Sequence, residues 1–144
     1  MNRRRLFSAE PGASLRVRRP VVVDAGVLAA VLFDEAEGAV ALRQIAGMTL
    51  HAPQLIDYEL ASIALAKARA GLGDIAAQGL ADYRQLALER AWVEPVAQAA
   101  LAMSYKISSY DAAYLWLAAA LQAPLITFDT RLARAARRHL GSDD

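Results

Sequence analysis

Pro20-Val21-Val22-Val23-Asp24-Ala25-Gly26-Val27-Leu28 is the stretch on which the fold turns. Three β-branched residues in a row favour a strand, and an acidic residue followed by small and apolar residues starts a helix at once. A strand that hands over to a helix through a carboxylate is the opening unit of a parallel α/β architecture. The pattern recurs at the other end of the chain, where Leu125-Ile126-Thr127-Phe128 is followed by Asp129 and an Arg-rich helical segment.

Between these units the spacing predicts helices at about 27–33 and 36–46 and a short strand at 48–52. A long helix opening at Pro53 runs to about Ala70 and is stopped by Gly71-Leu72-Gly73. Asp74 caps a helix to about Arg90, Trp92-Val93 forms a third strand, and Pro95 is the first residue of a helix ending near Lys106. Ser108 caps a helix over 109–122, and 125–128 is the last strand. Strands separated by helices require right-handed crossovers, so the expected fold is a single α/β domain with a mainly parallel sheet and helices on both faces. The domain spans residues 20–140, behind a basic tail at 1–19 expected to be disordered.

The chain has 144 residues, 56% of them hydrophobic, enough for one domain with a substantial core. It has no cysteine and two histidines, His51 and His139, which excludes disulfides and thiolate metal sites and leaves oxygen as the donor for any metal. The net charge of +1 conceals a partition. Six arginines face Glu10 alone in residues 1–20, twelve acids face six basic residues in 21–130, and four arginines face two aspartates in 131–144. Acidic centre and basic ends suit an enzyme that holds cations and acts on a polyanion, although charge balance and a solvated tail account for the composition equally well. No apolar run after the first basic residues resembles a secretory signal, and the uncharged stretch 112–128 is broken by Gln122 and Pro124, so a soluble cytoplasmic protein is expected.

Four acids stand out. Asp24 and Asp129 follow the carboxyl ends of the first and last strands, where open α/β sheets bind their ligands. Asp24 is explained as well by a loop carboxylate, and Asp129 by the N-cap of the last helix. Glu59 has Leu55, Ile56 and Ile63 as its helical neighbours, a face that should pack inward, and a charge there needs a partner. A buried arginine is the usual partner, but basic residues are scarce in this part of the chain, and a metal ion is the alternative. Asp57 reads as a solvated first-turn acid. Asp111 fits the last position of a capping box begun by Ser108, which is compatible with aiming a carboxylate at a cleft. Carboxylates gathered in this way hold Mg²⁺ or Mn²⁺ and set it to work on a phosphodiester.

In order and spacing, Val22-Val23-Asp24-Ala25-Gly26-Val27-Leu28, Glu59-Leu60, Tyr110-Asp111-Ala112-Ala113-Tyr114 and Leu125-Ile126-Thr127-Phe128-Asp129 resemble the PIN domain, and within it the VapC-type toxins of bacterial toxin-antitoxin pairs. The resemblance covers about residues 21–140. It implies a parallel sheet flanked by helices and an acidic cluster of Asp24, Glu59, Asp111 and Asp129 holding Mg²⁺ or Mn²⁺, with Thr127 as a polar neighbour. It implies also a single-strand-specific endoribonuclease, usually a homodimer, silenced by an antitoxin protein. Two positions depart from the family pattern: Gly26 stands where Ser, Asn or Thr is common, and Ser62 where Asn is. Arg131 and Arg134 on the last helix are the candidate contacts to RNA phosphates.

Rival readings are weighed against this one. A phosphatase of the haloacid-dehalogenase type wants a second Asp where Gly26 stands, and a receiver domain wants a Lys near the last strand, where Thr127-Phe128-Asp129-Thr130 has none. A non-catalytic RNA- or partner-binding module on the same fold, and an RNA-processing nuclease that is not a toxin, are the remaining alternatives.

Overall fold

The computed structural model describes residues 18–141. Among the described residues four strands and seven helices follow one another: β1 (Pro20–Val23), α1 (Ala25–Leu32), α2 (Gly38–Ile45), β2 (Thr49–Pro53), α3 (Ile56–Arg69), α4 (Gly73–Gln85), β3 (Leu88–Ala91), α5 (Pro95–Tyr105), α6 (Ser109–Leu121), β4 (Leu125–Ile126) and α7 (Thr130–Leu140). The sheet order is β3-β2-β1-β4 and every pairing is parallel. Strand order therefore reverses between β2 and β4 on the two sides of β1, which makes the carboxyl end of β1 the place where a crevice opens.

Val21, Val22 and Val23 are all fully buried although successive side chains of a strand point to opposite faces, so β1 is covered on both sides. Helix α6 lies against β1 and β2 and carries Tyr114, Leu117 and Ala118 into the main core. Helix α1, buried along nearly its whole length, packs against α2, α3 and α4. A second, smaller core joins Ile107 and the buried faces of α6 and α7 through Ala112, Leu115, Leu132, Ala135 and Ala136.

Two glycines set how closely the helices approach. A Cβ on Gly38 would meet the carbonyl oxygen of Ala30 at 2.5 Å, and one on Gly79 would meet the carbonyl oxygen of Leu32 at 2.8 Å and run into the Phe33 ring. Helix α4 therefore depends on Gly79 to sit on the end of α1. Gly79→Ala should destabilise the chain by about 1–3 kcal/mol, the range for overpacking a close contact. Chemical unfolding should show the loss as an earlier midpoint at unchanged slope.

Several boundaries differ from those expected. Pro53 ends β2, pairing with Ala91, and α3 begins only at Ile56. Asp74 lies in the first turn of α4 and Leu72 holds the cap position, with no side-chain cap. Helix α4 stops at Gln85, and the third strand is Leu88–Ala91, with Trp92 left 71% exposed beyond it. Ala87-Leu88-Glu89-Arg90 has good helix propensity, and pairing with β2 overrides it. Strand β4 is only Leu125–Ile126, because Thr127 is drawn off into hydrogen bonds at the site. The expectation for the basic N-terminal tail falls on residues outside the described range, Arg18 and Arg19 excepted. Among the described residues no helix is long and apolar enough to cross a membrane.

Candidate functional site

Asp24 closes β1 and caps α1. Its backbone is extended, its Oδ1 accepts the Val27 N–H at 2.9 Å, and its Oδ2 accepts the Thr127 hydroxyl. Thr127 follows β4, the neighbouring strand, and its Oγ1 also accepts the Asp129 N–H at 3.0 Å. One hydroxyl thus ties the ends of both strands together. Asp129 in turn caps α7, its Oδ1 accepting the Leu132 N–H at 2.9 Å. Both strand-end aspartates are N-caps, and capping occupies one oxygen of each.

Glu59 reaches the same crevice from the first turn of α3. Its partner is the hydroxyl of Tyr114, which donates to Oε1 at 2.6 Å. Tyr114 is buried, 1% exposed, and lies one turn beyond Asp111 on α6, so the two share a helix face. Asp111 sits in the first turn of α6, where its N–H is capped by Ser108 Oγ at 3.0 Å. Among the described residues, Glu59 Oε2 and Asp129 Oδ2 accept no hydrogen bond.

The electrostatics join these residues into one group. Burial raises the Asp24 carboxyl above the ordinary range; Thr127 and Val27 oppose this, and the charges of Asp111 and Asp129 add to it. Glu59 is raised by burial, lowered by the Tyr114 hydrogen bond, and raised again by Asp24 and Asp111. Asp111 is raised by burial and by Asp129, with Ser108 and Arg131 acting the other way. Burial and the Glu59 charge push the Tyr114 phenol up, which keeps it a donor.

The salt bridge weighed for Glu59 belongs instead to Asp57. Arg90 Nε lies 2.9 Å from both oxygens of Asp57, and Tyr83 donates its hydroxyl to Oδ1 at 2.5 Å. Asp57 is therefore bound into a structural pair rather than simply solvated, a correction to the sequence reading. Glu59 is left with a neutral partner. The role of Tyr114 was missed, although a tyrosine on so apolar a helix needs a hydrogen-bond acceptor when buried.

The donor set suits a hard cation: carboxylate oxygens, partial burial, mutual repulsion and, among the described residues, no cationic side chain paired with Asp24 or Glu59. Among the described residues no three acids stand close enough to form a complete metal cage.

The PIN domain family model matches residues 21–138. VapC ribonuclease Mb0985 of Mycobacterium bovis is 36% identical over 115 residues, which cover 78% of this chain and 87% of that protein. Ribonuclease VapC12 of Mycobacterium tuberculosis is 32% identical over 119 residues, 80% of this chain and 91% of that protein. The crystal structure of PAE2754 from Pyrobaculum aerophilum superposes with a TM-score of 0.63 over 87% of this chain and 96% of its own, at 21% identity, a likeness of fold.

Proposed function

The chain belongs to the PIN domain family, and from that membership and its acidic crevice we propose that it is a VapC-type toxin, a divalent-metal-dependent endoribonuclease. The observation that carries the reading is the convergence of Asp24, Glu59, Asp111 and Asp129, from four separate elements, on the carboxyl ends of β1 and β4. Two of them, Asp24 and Glu59, are half-buried and have no cationic partner among the described residues.

Asp24, Glu59 and Asp111 would hold Mg²⁺ or Mn²⁺, with Asp129 beside them. When bound, such an ion neutralises charge on the non-bridging oxygens of the scissile phosphate and lowers the pKa of water enough to yield a hydroxide nucleophile. The chain's own part is orientation. Thr127 holds Asp24 by its hydroxyl and Asp129 by the backbone, and Tyr114 holds Glu59, so three acids are fixed before substrate arrives. Arg131 and Arg134, exposed at the start of α7 next to Asp129, are suited to contact RNA phosphates. The partners that follow are single-stranded RNA, an antitoxin protein that silences the enzyme, and a second copy of the chain in a homodimer. The protein would act in the cytoplasm.

The test is cleavage of single-stranded RNA by the purified chain with Mn²⁺ and with a chelator, alongside growth on induced expression. Cutting that stops on chelation, and growth arrest, are the expected results. Intact RNA in the presence of Mn²⁺ would leave a binding module.

Tyr114→Phe tests the orientation separately. It keeps the ring in the core and removes only the donor to Glu59. Removing a residue that orients a ligand typically weakens metal binding by about 10–100-fold. Titration calorimetry with Mn²⁺ should show that loss. A variant that binds Mn²⁺ as tightly as the parent would reduce Tyr114 to a packing residue.

A further inference from the structure

Beside the acidic crevice lies a second concavity of opposite charge. It has a volume of about 350 Å³ and is lined by Tyr105, Lys106, Arg131, Arg134, Ala135 and Arg138. Arg131, Arg134 and Arg138 follow one another at helical spacing along one face of α7. Lys106 comes from the C-cap of α5, three residues before α6 begins. Its backbone is left-handed, with φ 55°, a conformation glycine adopts with less strain. The floor is apolar, formed by Ala135 and the Tyr105 ring, and Arg138 lies over that ring at 5.6 Å. His139 anchors the tyrosine hydroxyl at 2.9 Å.

Four cations share this pocket, and among the described residues no carboxylate lines it. The ion pairs among the described residues are elsewhere, between Lys67 and Glu35 and between Arg90 and Asp57. Like charges gathered in one place repel one another, and an anion relieves that repulsion. Arg131 stands at the boundary: it lines the pocket, and its charge acts on Asp111. A polyanion lying in the acidic crevice can continue into the basic pocket without leaving the surface.

We infer that this pocket is a phosphate subsite for single-stranded RNA, in which Lys106 and Arg138, together with Arg131 and Arg134, hold a backbone phosphate of a nucleotide flanking the one at the acidic crevice. The inference rests on the reading of the crevice as a ribonuclease site, and it adds Lys106 and Arg138 to the RNA-binding surface. Phosphate contacts position a strand and carry no sequence information. The subsite therefore governs how tightly RNA is held rather than which sequence is cut.

The experiment measures binding of a fluorescein-labelled short single-stranded RNA of mixed sequence by anisotropy, over a range of salt concentrations, with chelator present so that nothing is cut. The full chain is compared with Lys106→Gln/Arg138→Gln and with Arg43→Gln/Arg84→Gln, which removes the same charge from exposed positions on α2 and α4. The pocket variant should bind about tenfold more weakly, and its salt slope should fall by about 1.4, two contacts at about 0.7 each for a single strand. The surface control should match the parent. An unchanged slope and affinity in the pocket variant overturn the subsite, as does an equal loss in the control, which would make net charge the cause. An acidic protein segment as the true occupant gives the first of these outcomes. Cleavage of the same RNA with Mn²⁺, run in parallel on the parent, keeps the two readings apart. A parent that cuts nothing while the pocket variant loses slope leaves the subsite standing and removes the ribonuclease.

Discussion

Asp24→Asn is expected to lower RNA cleavage by about 10³-fold or more and to abolish growth arrest on expression, while leaving the fold in place. Transition-state stabilisation by a bound metal amounts to several kcal/mol, and about 4 kcal/mol corresponds to 10³ in rate. The amide removes the charge such an ion needs but keeps an oxygen that can accept from the Val27 N–H, so α1 remains capped. Circular dichroism and a denaturation curve check the fold, and cleavage with Mn²⁺ checks the chemistry. Retained cleavage in a folded variant would remove Asp24 from the site and with it the argument from the end of β1.

A second large effect concerns metal and pH together. Asp24, Glu59 and Asp111 all have folded-state pKa values above their ordinary ones, through burial and mutual repulsion. The folded chain therefore retains protons that the unfolded chain gives up. Without metal, stability from these groups is present below the unfolded values near ~4 and is lost as pH rises through the raised folded values. A divalent ion binds the ionised form and reverses the trend. At a thousandfold excess over its Kd it should stabilise the fold by about 4 kcal/mol, a rise of about 10 °C in Tm for a domain of this size. Thermal scans with and without Mn²⁺ should show a shift that grows from pH 5 to pH 7.5. An equal shift in Asp24→Asn would place the metal elsewhere.

What the sequence disclosed was local and repeated. Val21-Val22-Val23-Asp24 announces a buried strand ending in a carboxylate, and the structure adds only that Asp24 also caps α1. Ser108 and Pro95 mark helix starts by capping chemistry that depends on neighbours in the chain, and both stand where expected. Contacts between distant segments were harder to read. Leu88–Ala91 is a strand because β2 lies beside it, although its own residues favour helix. Asp57 and Arg90 are 33 residues apart and meet only through the tertiary fold. For Glu59 the inward-facing position was legible, but not its donor, since Tyr114 lies 55 residues further on.

The sheet itself bears on how this protein meets others. One border is β3, whose Glu89 and Arg90 are exposed. The other is β4, two residues long before Thr127 leaves the ladder. A charged border resists the addition of a strand, and so short a one offers almost no backbone to copy. The chain is thus poorly built to grow by sheet extension or to capture an extended peptide along its rim. Any protein that joins it, a second copy included, should do so through helix faces, and at high concentration its strands should not seed fibres.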